Sequence, residues 1–275
     1  MPELPEVEIV ARSLNSIVSG RSIASAELLR ARLAPDTTPK KFAKNLQGAT
    51  INFVHRRGKH VLFDLDNGRT LITHLRMSGK FMLLDHDTVD PKFTHAVLYF
   101  DDGRLVFQDQ RHFGLMKIVP TAKLNEAKEI AKLAPEPLGD KFTEDYLRTT
   151  LKTSRRSLKE VLLDQTKICG LGNIYASEAM FLSRANPRRR ASSLTKAKTA
   201  VLLENIQLVL SEAVELGASL PVDPTDIAGS IYGVGSDWEW RVYDREGEDC
   251  VNCGVPVARI VQAGRSTYFC KVCQR

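Results

Sequence analysis

Four of the five cysteines stand in two close pairs, Cys250-x2-Cys253 and Cys270-x2-Cys273, with sixteen residues between the pairs. A pair with this gap clamps one metal ion from a tight knuckle, and four thiolates complete a closed tetrahedral shell. The spacer suits a β-hairpin. The C-terminus is therefore expected to be a zinc ribbon in which Cys250, Cys253, Cys270 and Cys273 hold one structural Zn2+. Free buried cysteines in a chance arrangement are the alternative. A closed shell leaves no open position for chemistry, and the metal replaces a core that so short a hairpin cannot build. Cys169 stands apart and is expected to be a small buried residue. The acidic start lacks the apolar core of a signal peptide, and no run is apolar for long enough to span a bilayer. A cytoplasmic address follows as the default, where disulfide frameworks are rare.

The rest of the chain divides by texture. Val7, Val10, Ala11, Leu14, Ile17 and Val18 recur at helical spacing over residues 4–20, and Gly20 ends the pattern. From about 22 to 120 the chain is strand-like. Asp66-Asn-Gly68 and Asp101-Asp-Gly103 each separate two apolar runs and read as hairpin turns. A short helix is expected over 122–132, followed by a Pro- and Gly-bearing linker at 134–140. Beyond it, Leu202, Ile206, Val209, Ala213 and Leu216 form one apolar helical stripe that Gly217 is expected to stop. The expected organisation is α+β: an N-terminal β-sandwich domain with flanking helices over 1–133, a helical domain over 141–238 and the ribbon over 239–275. The net charge of +6 is a weak pointer to an anionic partner, since many soluble enzymes share it.

The N-terminus carries a second chemical signal. Pro2 allows removal of the initiator Met, which would expose a secondary amine, and an α-amino group is partly neutral near pH 7. A neutral amine can attack an electrophilic sugar carbon and become an iminium. Glu3 and Glu6 place carboxylates beside it that could move protons. Read alone, the same residues are better explained as a helix start, where proline and acids are favoured.

Further motifs are spread along the chain: Pro2-Glu-Leu-Pro-Glu-Val-Glu8, Arg56-Arg-Gly-Lys-His60, His74-Leu-Arg-Met-Ser-Gly79, Asp109-Gln-Arg-His-Phe-Gly114, Leu162-Leu-Asp-Gln165 and Gly170-Leu-Gly-Asn-Ile-Tyr-Ala176. Together with the cysteine ribbon they resemble the formamidopyrimidine-DNA glycosylase family of base-excision enzymes. The resemblance implies an N-terminal β-sandwich, a helix–two-turn–helix module before the ribbon, and duplex DNA with a damaged base lying between the domains. It implies that Pro2 is the nucleophile, Glu3 an acid assisting sugar-ring opening, and Glu6 a supporting carboxylate. Lys59 and Arg265 would join the catalytic site through phosphate contacts. Met77, Arg111 and Phe113 would fill the void left by an everted base. Their types suit such a role, being a flexible plug, a multi-donor cation and an aromatic wedge. Asn173 and Arg265 would grip flanking phosphates, and His74 would join them unless it is a satisfied core histidine.

The implied activity is a bifunctional glycosylase and abasic-site lyase for oxidised purines such as 8-oxoguanine and formamidopyrimidines, working as a monomer without a catalytic metal. Two alternatives remain: the endonuclease VIII branch, which takes oxidised pyrimidines, and a catalytically silent DNA- or RNA-binding zinc-ribbon protein. The sequence departs from the family pattern over 217–240, where glycines predict a mobile loop, and at His112, where a basic residue is frequent.

Overall fold

The computed structural model describes residues 1–227 and 240–275, so residues 228–239 of the divergent glycine-bearing stretch, where a mobile loop is expected, lie outside the described residues. The chain divides into two compact units. The first comprises Met1–Ala131 and returns to include the described residues from Leu216 to 227; the second holds Lys132–Glu215 and the described residues from 240 onward.

In the first unit, helix α1 (Leu4–Val18) leads into β1 (Ser25–Leu28), α2 (Pro39–Leu46) and strands β2 (Ile51–Arg57), β3 (His60–Leu65), β4 (Arg69–His74), β5 (Gly79–Leu84), β6 (Thr94–Phe100), β7 (Gly103–Asp109) and β8 (Leu115–Pro120). Two four-stranded antiparallel sheets result, ordered β1-β6-β7-β5 and β2-β3-β4-β8. Their inner faces share one core. Phe63 of one sheet meets Phe81 of the other edge-to-face at 5.5 Å, and Phe81 meets Phe107 at 5.1 Å. Helix α1 adds Val7, Val10, Leu14 and Val18 to that core, so the apolar stripe read in the sequence is what docks the N-terminus onto the sandwich. Both expected hairpins are present, as β3–β4 and β6–β7.

In this unit one local expectation is corrected and one helix is added. No α-helix covers 122–132: Thr121–Glu126 is a 3-10 segment followed by turns, with no side chain capping its start. Helix α2 is an addition to the expected elements, although Thr38 accepts from the Lys41 amide and Pro39 occupies the first turn, both start signals.

The second unit contains α3 (Glu144–Lys152), α4 (Leu158–Leu162), α5 (Asn173–Leu182), most of α6 (Lys196–Ala218) and the hairpin β9 (Ala258–Gln262) to β10 (Arg265–Phe269). Leu202, Ile206, Val209 and Ala213 of α6 are buried as the stripe required. Gly217 does not stop the helix. It lies inside the last turn, where an added Cβ would sit 1.9 Å from Cδ1 of Ile9 in α1. Close packing, not chain reversal, demands glycine there. From this point the chain stays with the sandwich: Leu83 donates to the Pro224 carbonyl and Ile227 to that of Phe81. The described residues between Leu216 and 227 thus group with the first unit and not with the helical one, because β5 has an edge to satisfy.

Candidate active site and metal centre

The N-terminal motif folds as a helix start. Pro2 and Glu3 are buried, Glu3 to 3% exposure, and Met1 precedes them at 45%. Glu6 turns back so that its Oε2 accepts from the Glu3 amide at 2.7 Å, which fixes the backbone next to Pro2. Glu8, one turn on, joins Arg56 at 2.8 Å and Arg12 at 2.7 Å. Burial pushes its carboxyl upward, but the two guanidiniums outweigh this and hold it below the usual range. Arg56 also donates to the Gly58 carbonyl at 3.1 Å. A chain of contacts therefore runs from α1 to the turn that carries Lys59.

That turn is a two-residue hairpin closed by Arg57 opposite His60, with Gly58 at φ +59° in its first central position. Only glycine enters this conformation without strain. Lys59 follows it at 5% exposure, so it is no solvated strand-end lysine. His60 and His74 meet edge-to-face at 4.7 Å behind it. Burial lowers His60 to about 4, opposed by the Arg57 carbonyl it contacts. Burial, then His60, Arg76 and Lys59, push His74 to about 2. Both rings are neutral at physiological pH. Nδ1 of His74 accepts from the Arg76 amide at 3.0 Å, which leaves Nε2 as the protonated nitrogen.

Two turns then come together through one carboxylate. Asp109, fully buried, accepts from Ser78 Oγ, from the Arg111 amide at 3.1 Å and from the Gly114 amide at 2.7 Å. The Arg111 amide also reaches Ser78 Oγ at 3.0 Å. This hub joins the Met77 turn to the Arg111–Phe113 turn. Arg111 donates to the Met77 sulfur at 3.1 Å and lies 5.6 Å over the Phe113 ring, itself 50% exposed. An open depression of about 360 Å³ is lined by Met1, Arg76, Met77 and Phe113. The chain start therefore shares one surface with Met77 and Phe113, and Arg111 touches both of these side chains. Sequence reasoning gave Asp109 no role; an Asp opening a tight turn was the available signal.

In the second unit Asn173 begins α5 after Gly172, and its Nδ2 donates to the Ser266 carbonyl at 3.0 Å, while its buried Oδ1 has no hydrogen-bond partner. Gln165 braces the preceding turns by donating to the Leu171 carbonyl at 2.8 Å and accepting from the Gly170 amide at 2.9 Å. Arg265 is exposed at the start of β10, directly after the Ala263-Gly264 turn. Asn173 and the hairpin bearing Arg265 are thus tied together. The basic runs behave as ordinary surface: Arg156 pairs with Asp164 and Arg189 bonds Ser193.

The four expected metal ligands converge, with all four sulfurs within 4.8 Å of one another. Cys250 lies 3.9 Å from Cys273 and Cys253 lies 3.5 Å from Cys270. A tetrahedral Zn2+ with bonds near 2.3 Å requires roughly 3.8 Å between sulfurs, so these separations and the four-thiolate donor set suit the ion. Gln274, fully buried, accepts from the Cys270 amide at 2.9 Å and donates to the Ala185 carbonyl at 3.0 Å, which anchors the knuckle to the helices. Cys169 is buried, as expected.

Glu178 is a residue the sequence gave no reason to single out. At 1% exposure it accepts from the amides of Arg241, Val242 and Tyr243, at 2.9, 2.9 and 3.0 Å. It seats the chain where it enters the ribbon. Glu178→Gln presents an NH2 group to donors that need acceptors and is expected to destabilise this unit by roughly 3 kcal/mol. Hydrogen exchange at the amides of 241–243 is the check; protection equal to wild type would show that another group satisfies them.

Comparison with known proteins follows the same divisions. Residues 1–116 match the family described as formamidopyrimidine-DNA glycosylase N-terminal domain, and 133–222 its H2TH domain. Residues 247–275 match the zinc finger found in that glycosylase and in IleRS. The chain is 41% identical to the formamidopyrimidine-DNA glycosylase of Ruegeria pomeroyi and 38% to that of Lactiplantibacillus plantarum, covering 100% of each chain in both cases. It superimposes on the Lactococcus lactis enzyme bound non-covalently to DNA with an abasic site, at a TM-score of 0.89, 35% identity and 99% coverage of both chains. Other structures of the Lactococcus lactis protein hold an N7-benzyl-formamidopyrimidine lesion and an oxidised pyrimidine, with TM-scores of 0.90 and 0.89 and 35% identity over the full length. Among the described residues no helix is long and apolar enough to cross a membrane. A likeness this uniform across both units and the ribbon places the chain in the formamidopyrimidine-DNA glycosylase family.

Proposed function

We propose that this chain is a cytoplasmic base-excision enzyme that removes oxidised purines from duplex DNA and then cleaves the abasic strand, acting as a monomer. The observation that carries the reading is the shared surface of the chain start with Met77 and Phe113, both of which Arg111 touches, backed by the buried Glu3. Once Met1 is removed, the Pro2 nitrogen is a secondary amine. It attacks C1′ of the damaged nucleoside, the C1′–base bond breaks, and the base leaves with a proton. Glu3 protonates the ring oxygen as the sugar opens, leaving an iminium between Pro2 and C1′. The iminium acidifies C2′–H, so loss of that proton expels the 3′ phosphate. A second elimination expels the 5′ phosphate, and water releases the sugar fragment and restores the amine.

Binding roles are assigned here from the family resemblance. Lys59, His74, Asn173 and Arg265 hold phosphates near the everted nucleotide, while Met77, Arg111 and Phe113 occupy the gap in the stack. Glu6 fixes the Glu3 backbone. The zinc held by the four cysteines stiffens the hairpin that presents Arg265, and its filled shell assigns it no chemical step.

Borohydride trapping on untagged protein tests the reading, with duplexes carrying 8-oxoguanine opposite cytosine or an oxidised pyrimidine. A covalent adduct on the 8-oxoguanine duplex, mapped to Pro2, is expected. An adduct on the pyrimidine duplex alone would move the protein to the endonuclease VIII branch. No adduct on either, with a free proline verified by mass, would leave a silent binding protein.

A further inference from the structure

Three side chains interlock beside the chain start. Arg111 donates from Nη1 to the Met77 sulfur at 3.1 Å and lies 5.6 Å over the Phe113 ring. Met77 and Phe113 line the open depression of about 360 Å³, so the Met77 side chain touches the guanidinium and also borders open space. A thioether sulfur is a weak acceptor on a flexible stem. The turn that carries it is fixed from behind: Ser78 Oγ donates to Asp109, and the Gly79 amide donates to the Leu75 carbonyl at 2.9 Å. The fold therefore keeps this sulfur at the edge of the depression.

The chain has five methionines. Met116 and Met180 are buried. Met82 packs against Leu84, Val97 and Val106. Met1 is removed in the reading above, and its loss takes away one wall of the depression. Of the four that stay, Met77 is the one that borders this space.

A small peroxide can enter that volume. The sulfur gives a lone pair to one peroxide oxygen and the O–O bond breaks. The attacked oxygen passes its proton to the departing hydroxide, which leaves as water. Sulfur is oxidised by two electrons and the peroxide is reduced by two. The product is a sulfoxide, polar and chiral where the thioether was apolar. Rotation of the flexible stem brings its oxygen to the Arg111 guanidinium, and a weak contact becomes a charge-assisted hydrogen bond. Two properties change together: the plug turns polar, and donors of Arg111 are held by its own neighbour.

We propose that Met77 is a modification site at which a peroxide forms methionine sulfoxide, and that the sulfoxide ties down Arg111 and weakens damaged-duplex binding until it is reduced. The DNA consequence rests on the glycosylase reading above, in which Met77 and Arg111 occupy the gap left by the everted nucleotide; the oxidation itself does not. Leucine fills a similar volume without offering a sulfur, so Met77→Leu separates the oxidation from the shape.

The test uses native, untagged, zinc-loaded protein, wild type and Met77→Leu, before and after dilute hydrogen peroxide. Peptide mass mapping should find the added oxygen at Met77 at least about fivefold sooner than at Met116 or Met180, whose burial shields them. Wild-type affinity for a duplex with a tetrahydrofuran abasic analogue should fall roughly tenfold, the loss expected for about one hydrogen bond. Met77→Leu has its own baseline, which peroxide should leave unmoved. The Arg111 Nε–H signal in nitrogen-15 spectra should shift on oxidation. Methionine sulfoxide reductase should restore both signal and affinity. Dithiothreitol alone should not, and native mass spectrometry should show the zinc retained, which separates this effect from damage at the cysteines. Oxidation of the buried methionines ahead of Met77, a Met77 sulfoxide that binds as tightly as the thioether, or an equal loss in Met77→Leu overturns the proposal. Untreated protein that binds no duplex would instead sink the glycosylase reading and the DNA consequence with it, and the mass map would still decide the site.

Discussion

Adding one residue ahead of Pro2 is expected to abolish both trapping and strand cleavage, with the fold intact. The added peptide bond turns the proline nitrogen into an amide, whose lone pair is delocalised into the carbonyl and cannot attack C1′. Loss of the covalent route should slow cleavage by at least about a thousandfold, which is about 4 kcal/mol of barrier. Pro2→Gly is the subtler variant. It keeps an amine but surrenders the fixed ring that packs the buried chain start, so a loss of about a hundredfold is expected, again mostly in kcat. Substrate affinity should stay near wild type in both variants, because the side chains proposed to hold phosphate are untouched. Single-turnover cleavage together with a binding isotherm separates the two effects. Wild-type cleavage from the extended chain would remove Pro2 from the mechanism altogether.

The second large effect concerns the metal. The apolar cluster around the ribbon is small: Phe181 of α5 with Val242, Val257, Tyr268 and the cysteines themselves. So small a core cannot hold a hairpin alone, and structural zinc commonly contributes about 10–16 kcal/mol of apparent binding energy to such folds. Cys253→Ser, or chelation of the native protein, should therefore unfold β9–β10 and release the Ser266 carbonyl from Asn173. DNA affinity should fall by at least about a hundredfold, since Arg265 and Asn173 lose their placement together. The sandwich has a separate core and should keep its amide protection. Native mass spectrometry should count one zinc per chain in the wild type. A zinc-free chain that still protects the hairpin amides would contradict this account.

The sequence by itself determined what repeats locally or is fixed by spacing. Cysteine pairs with two residues between their members announced the ribbon, Asp-Asn-Gly and Asp-Asp-Gly announced two hairpins, and the stripe from Leu202 to Ala213 announced a helix with one buried face. These signals survive in the chain because the atoms that enforce them are close in sequence. Tertiary structure decided what depends on a distant partner. Gly217 looked like a helix stop and proved to be a contact with Ile9, and 122–132 lacked the capping that an α-helix would have needed. Asp109 and Glu178 had no role assigned to them from the sequence. Each matters through groups that folding brings to it: the Ser78 and Gly114 turns, and the amides of 241–243. A buried polar group draws its meaning from the partners that satisfy it, and only the folded chain assembles them.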